Sequence, residues 1–332
     1  MEFIGSANYA EYADFTFVRA GGWGTVFSAQ RISDGKKFAM KFFGYTSNRP
    51  NITEIEKEIR LMVSLRGVEG VVQLEGVFSD SAMGYMPNKN KRFQDRGYPV
   101  IVMEMIDGGE LLDRIMLAGR ISEHYVSGMF RSAVVALRGI HSRRYVHRDL
   151  KLDNILLMSK DADSIVKLID FGLMVPLPDI SDTYIAAREH APCGTAGYFA
   201  PESLLRKEYS FKTDIWQLGC ILYSTLCGHP PYSMEQRYQR QITEHLFYPM
   251  TGPEWENISD SAKDIVTKML TKDPIARISL DEICSHPWLS GDAPKIDLGH
   301  DYTRRVKSLA LRGRLKRFFQ FNDIVRVAFL KL

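Results

Sequence analysis

The sequence predicts an α+β chain in two lobes, a small β-rich lobe with one main helix followed by a larger helical lobe. Three observations carry this. The chain has 332 residues, long for one hydrophobic core. Residues 15–43 alternate apolar and polar side chains as strands do, punctuated by turn signals. From residue 110 onward the apolar spacing is helical over long stretches.

In the first lobe, FTFVRAGGWGTVFSAQ gives two strand-like segments around a glycine hairpin, and Ser33-Asp34-Gly35 turns the chain into KKFAMKFF. A glycine loop in a hairpin lets backbone N–H groups approach phosphates, or is simply a glycine-rich turn. No Gly-Lys-Ser or Gly-Lys-Thr follows, which excludes a Walker loop. Lys41 lies within an apolar strand, where it needs a partner unless it sits at an edge. Residues 51–65 space Ile55, Ile59, Met62 and Leu65 along one helix face. Glu58 borders that face and is a candidate partner for Lys41, a pairing that would orient the lysine toward phosphates. Propensity does not separate it from Glu54 or Glu56, or from a solvated glutamate. Residues 71–79 form a short apolar segment, 81–98 read as a polar loop, and PVIVMEMI reads as a strand ended by Asp107-Gly108-Gly109.

In the second lobe, helical patterns cover residues 110–119 and 123–143, the second capped by Ser122. SIVKLIDFGL is a short strand that ends at a glycine turn, which makes Asp170 a natural position for a metal ligand. Residues 174–192 are irregular, and a stretch of that length inside a compact domain usually has a function. The helical region containing DIWQLGCILYSTLCG places Trp216, Leu218, Ile221, Leu222 and Leu226 in the core.

Between these helices, YVHRDLKLDNILL over 145–157 concentrates the chemistry. Asp149 can accept or orient a hydroxyl proton, Asn154 can offer a neutral oxygen to Mg²⁺, and Lys151 can meet a phosphate. With a nucleotide nearby, this is a phosphoryl-transfer kit.

Composition excludes other classes. The chain is 45% hydrophobic and 25% charged, ordinary for a soluble globular protein. Its cysteines, Cys193, Cys220, Cys227 and Cys284, show no CxxC spacing, so a reduced, intracellular protein is expected, cytoplasmic with the nucleus also open. No apolar run approaches the length of a membrane span, the first residues lack the pattern of a signal peptide, and Glu2 excludes the usual myristoylation signal. The histidines show no zinc-ligand spacing.

Over roughly residues 14–290 the chain resembles a eukaryotic protein kinase. The motifs stand in order: Gly21, Gly24 and Val26; Lys41 in FAMK; Glu58; HRDLKLDN; Asp170-Phe171-Gly172; Ala200-Pro201-Glu202; Asp214 and Trp216; and Arg277. The resemblance implies the bilobal protein kinase fold, with an extension over 1–14, the first lobe over 15–105, the second over 106–290 and a basic tail over 291–332. It implies ATP and Mg²⁺ as cofactors and protein substrates, with no nucleic acid as partner. The glycine loop with Gly21, Gly24 and Val26 would cover the ATP phosphates, and Lys41 backed by Glu58 would pair with them. Glu104 and Met105 would present backbone to adenine, with Met103 as gatekeeper. Asp149 would act on the substrate hydroxyl, Lys151 near the transferred phosphate, and Asn154 and Asp170 on magnesium. Thr195 would align the catalytic aspartate, and Glu202 would pair with Arg277.

Within that family the chain resembles the calcium/calmodulin-dependent group, through GGELLDRI, CGTAGYFAPE, CGHPPY and HPW. Lys151 in HRDLKLDN implies serine or threonine as acceptor. Glu110 would receive an arginine three residues before the acceptor, or is a helix-start glutamate satisfied by the dipole. Three positions depart from the pattern: Arg19 replaces the first glycine of the phosphate loop, Ala196 a frequent proline, and Ala191 the usual activating threonine. Ser181, Thr183 and Tyr184 remain phosphorylation candidates, with Arg148 to meet the phosphate. These departures keep a second reading open, a kinase-fold docking module without activity.

The net charge of +3 hides an asymmetry. From Lys295 onward ten Lys or Arg stand against three Asp, a net +7, which leaves about −4 for the rest. In residues 302–332, Leu311, Leu315 and Phe319 recur at i+4, followed by Ile324, with Arg317 among the charges. A basic amphipathic helix fits a target of calmodulin or a related calcium sensor, docking on the kinase body, or a membrane or nucleic-acid surface. The same stretch resembles the autoregulatory segment that follows kinase domains of this group.

Overall fold

The computed structural model describes residues 9–21, 24–43, 51–79, 99–118, 121–161, 164–177, 187–188, 194–195, 197–232, 249–299 and 301–311. They fall into two compact units, the first comprising the chain up to Gly67 with Val72–Ile106, the second Val68–Val71 and the chain from Asp107. Ala191, Ala196, Ser181, Thr183, Tyr184, Leu315, Arg317, Phe319 and Ile324 lie outside the described residues.

The first unit is built on an antiparallel sheet of β1 (Tyr12–Gly21), β2 (Gly24–Arg31), β3 (Lys37–Phe42), β4 (Leu74–Ser79) and β5 (Pro99–Glu104), in the order β1-β2-β3-β5-β4. The first strand begins at Tyr12, three residues before the alternating pattern suggests. Tyr12 is buried and meets Phe38 edge-on at 5.9 Å, and both belong to a cluster with Met40, Phe42, Val100 and Val102. Gly24 is required by the sheet itself, since a Cβ there would lie 2.4 Å from the carbonyl oxygen of Phe42. Arg19 pairs with Val26 just past a register shift in β1. The helix α1 (Ile52–Ser64) is capped by Asn51, whose side chain accepts the Thr53 N–H, and buries Ile55, Glu58, Ile59, Leu61 and Met62.

The second unit contains α2 (Leu111–Ala118), α3 (Glu123–Ser142), α4 (Pro201–Arg206) and α5 (Phe211–Cys227), with the hairpin of β6 (Ile155–Leu157) and β7 (Val166–Leu168). Ser122 caps α3 as its sequence predicts, accepting the Tyr125 N–H at 3.3 Å. The DIWQLGCILYSTLCG stretch extends back to Phe211 because Ser210 and Thr213 form a capping box. It ends at Gly228, whose φ of 85° is a left-handed stop.

Glu202 and Arg277 form the fork-on-fork pair that the resemblance implies, with both contacts at 2.9 Å and both side chains fully buried. Arg277 also donates to the carbonyls of Thr271, Lys212 and Lys272 and lies 5.0 Å from the Trp216 ring centre, so its charge is satisfied on every side.

The tail begins as part of this unit. Residues 302–311 are helical, and Tyr302, Val306 and Ala310, spaced at i+4, are buried. Tyr302 donates its hydroxyl to Thr225 O at 2.5 Å, and Arg305 Nε donates to Cys227 O at 2.7 Å. Both carbonyls belong to the last turn of α5, where a helix leaves its acceptors unpaired. Gly228 makes this approach feasible, because a Cβ there would meet Arg305 at 2.6 Å. Leu311, the first residue of the expected apolar row, is 58% exposed. Among the described residues no helix is long and apolar enough to cross a membrane.

Candidate active site

The predicted site residues fall into two groups, one in each unit. In the first unit, Lys41 lies on β3 opposite Val26 on β2 and Ile101 on β5, so it is a central-strand lysine and not an edge one. Its ammonium donates to Glu58 Oε1 at 2.6 Å. Of the three glutamates on α1 that sequence could not separate, Glu58 is the one on the buried face. A charge held there without its partner would be costly, so the pair fixes the lysine's direction. Glu104 ends β5, and its side chain accepts the Gln73 N–H at 2.8 Å, while Met105 follows it in a half-buried position. Gly21 closes β1 opposite Gly24.

In the second unit the HRD stretch leads into a short turn over Leu152–Asn154 and then β6. The Asp149 carboxylate is held at both oxygens. Thr195 Oγ1 donates to Oδ1 at 2.7 Å, and Lys151 Nζ donates to Oδ2 at 2.5 Å. Lys151 also reaches Thr195 Oγ1 at 3.0 Å, which closes a triangle of three side chains. The approach of Thr195 depends on Gly194, whose φ of 118° suits glycine and whose added Cβ would lie 2.8 Å from Arg148 O.

Asn154 and Asp170 flank the β6–β7 hairpin at one end. Ile169 N–H donates to Asn154 O at 3.0 Å, one residue before Asp170. The Asn154 side-chain nitrogen donates to Asp149 O at 2.9 Å, so the amide oxygen is the atom that a cation would meet. Asp170 is exposed and has a φ of 67°, a strained value for a residue with a Cβ. Glu110 precedes α2, pairs with Leu156 in an isolated bridge, and its carbonyl accepts the N–H groups of Asp113 and Arg114. Arg148 is buried, donates to Leu173 O at 2.7 Å and lies over the Tyr209 ring, so the described structure uses it within the fold.

Sequence reading named Asp214 as a motif residue but did not give the support it lends beneath the loop, and it missed Gln217. Asp214, fully buried on the first turn of α5, accepts the N–H groups of His147 and Arg148 at 2.8 and 2.9 Å. His141 on α3 meets the same carboxylate at 2.9 Å. Gln217, one turn further along α5, accepts the Leu150 N–H and donates to the Arg148 carbonyl. A polar residue one turn after Asp214, within the apolar run from Ile215 to Leu222, was the available signal. His147 is fully buried, and burial pushes its imidazole below the ordinary range, so it stays neutral and accepts the Asp149 N–H at Nδ1.

A β-rich unit with a buried Lys–Glu pair and a helical unit with a clamped aspartate define a protein kinase. The chain belongs to that family, since the family model for the protein kinase domain matches residues 12–289. The chain is 34% identical over 336 residues to the calcium/calmodulin-dependent protein kinase type 1 of Caenorhabditis elegans, covering 98% of this chain and 89% of that protein. It is 33% identical over 317 residues to calcium-dependent protein kinase 1 of Oryza sativa subsp. japonica, covering 92% of this chain and 56% of that protein. Its likeness extends to a putative ribosomal protein S6 kinase alpha-2 of C. elegans, 32% identical over 306 residues, covering 87% of this chain and 37% of that protein. The family is therefore defined, and these names do not narrow it to one subgroup.

Proposed function

We propose that the chain is an active serine/threonine kinase which moves the γ-phosphate of ATP to protein substrates, favours an arginine three residues before the acceptor, and is restrained by its basic tail until a calmodulin-type calcium sensor binds. The observation that carries the activity is the Asp149 carboxylate, held by Thr195 and Lys151 with all three side chains in contact.

The donor atoms fit magnesium. Asn154 offers an amide oxygen and Asp170 a carboxylate, the hard oxygens that Mg²⁺ prefers, and Mg²⁺ takes few protein ligands beside substrate phosphates. When bound, the ion would supply positive charge to neutralise the phosphates. The chain's own residues do the rest. Lys41, aimed by Glu58, holds phosphate oxygens. Asp149 accepts the acceptor hydroxyl's proton as the new O–P bond forms and the bond to the β-phosphate oxygen breaks. Lys151 offsets the negative charge gathering at the transferred group. Positioning and charge, rather than covalent help, lower the barrier.

The serine/threonine preference draws support from Lys151 standing two residues after Asp149. The arginine preference rests on Glu110 alone. The calcium link draws support from the names of two relatives and from the basic composition of residues 302–332. Ala191 offers no hydroxyl for activation by phosphorylation at that position.

The test is transfer from ATP to an Arg-x-x-Ser peptide and to the same peptide with Tyr as acceptor. Phosphate on serine alone supports the reading, and no transfer above an Asp149→Asn control rejects it. For the tail, the full chain is compared with a chain ending at Leu311. The shortened chain is expected to be active without a sensor, and the full chain about tenfold slower until calcium-loaded calmodulin is added. Equal rates in all conditions would reject restraint. The cut belongs after Leu311, because ending at Asp292 also removes Tyr302 and Val306 from the core. That shorter chain is expected to lose at least about 2 kcal/mol of stability, read from urea melts.

A further inference from the structure

We infer that Gln217 is a positioning residue for phosphoryl transfer, its amide bracketing Asp149 by pairing with the Arg148 carbonyl on one side and the Leu150 N–H on the other. The Gln217 Nε2 donates to Arg148 O at 2.7 Å, and the Leu150 N–H donates to Gln217 Oε1 at 2.9 Å. Gln217 is 1% exposed.

The Arg148 carbonyl belongs to the peptide unit that enters the Cα of Asp149. The Leu150 N–H belongs to the unit that leaves it. Only rotation about the two bonds at that Cα relates these planes. One rigid amide that grips both therefore fixes the direction in which the Asp149 side chain leaves the backbone. Asp214 does the same for the two preceding units, through the N–H groups of His147 and Arg148. Asp214 and Gln217 are three residues apart on α5 and so lie on one face. Together they pin four successive peptide units leading to and from the catalytic aspartate.

The backbone needs holding. Arg148 has a φ of 67°, which a residue with a Cβ adopts only under constraint from its surroundings. An apolar side chain at position 217 would leave the Leu150 N–H and the Arg148 carbonyl without the partner seen here, in a buried place where water does not easily substitute. Gln217 touches no reacting atom, and its effect passes through Asp149.

The inference rests on Asp149 as the catalytic aspartate, and the test separates the two. Gln217→Leu keeps the volume and removes both bonds. It is expected to lower kcat about 10- to 100-fold with KM for ATP and peptide within about threefold, in a chain whose melting is still cooperative. A kcat within twofold of the original chain, with Asp149→Asn inactive, overturns the role of Gln217 and leaves that of Asp149. If Asp149→Asn keeps full activity, the catalytic reading itself fails.

Gln217→Glu gives a readout that mere packing would not move. A protonated carboxyl can both accept from Leu150 and donate to Arg148, as the amide does. An ionised one accepts only, and faces the Arg148 carbonyl oxygen with its own charge. Burial raises a carboxyl's pKa, so the protonated form is retained at the acid end. The kcat of Gln217→Glu, divided by that of the original chain, is expected to fall as pH rises from 6 to 9. A ratio that stays flat across this range overturns the inference. This second variant decides the matter even if Gln217→Leu does not fold.

Discussion

Asp149→Asn is expected to fold normally, bind ATP as before and lose about 10³-fold in kcat. The asparagine has the same shape, and its Oδ1 can still accept the Thr195 hydroxyl, which donates to that atom at 2.7 Å. What disappears is the negative charge. The substrate hydroxyl then has no carboxylate to take its proton, and the Lys151 ammonium loses the partner it holds at 2.5 Å. Lys151 keeps Thr195 Oγ1 at 3.0 Å, so local geometry survives. Initial rates over a range of ATP and peptide concentrations, beside a thermal melt with and without ATP, check the split. A loss confined to kcat fits proton acceptance and orientation. A rate within tenfold of the original would remove Asp149 from the chemistry.

Arg277→Leu is expected to have the largest effect on stability, a loss of about 3–5 kcal/mol, or a fall in Tm of about 10 °C. The substitution leaves the Glu202 carboxylate fully buried, with Thr213 Oγ1 at 3.1 Å as its remaining described partner. It also frees the carbonyls of Thr271, Lys212 and Lys272. A second change, Glu202→Leu, removes the stranded charge, so the double variant is expected to be more stable than Arg277→Leu alone. Urea melts of the four chains close the cycle. Additive losses would mean that the pair is not coupled, contrary to its geometry.

Much of this was legible in the sequence where local chemistry decides the outcome. Alternation located the sheet, Ser122 located the start of a long helix, and the spacing around Asp149 located the loop. The Glu202–Arg277 pair was legible only by resemblance, because nothing local joins residues 75 positions apart. The helix α1 shows the limit from the other side. Glu54, Glu56 and Glu58 have the same propensity, and only the direction in which α1 faces the sheet selects Glu58. The tail was half legible. Its basic, apolar pattern announced a helix, but the buried face falls on Tyr302, Val306 and Ala310 because α5 ends in open carbonyls that Tyr302 and Arg305 can reach. Gln217 showed in the sequence only as a polar residue within an apolar run, with no sign of what it binds. Its role lies in bonds to backbone groups, which carry no side-chain signature in the sequence.

The support that α5 gives to the catalytic loop also sets an order of events during synthesis. A ribosome that has made the chain as far as Ala200 has already supplied Asp149, Lys151, Asn154 and Thr195. It has not supplied Asp214 or Gln217, which lie 67 positions beyond the His147 and Leu150 groups they bind. Closing contacts over such separations is slow compared with local helix formation. If these residues act as proposed, the emerging chain carries them all before it can hold Asp149 in place, and competence arrives with α5 rather than with the loop.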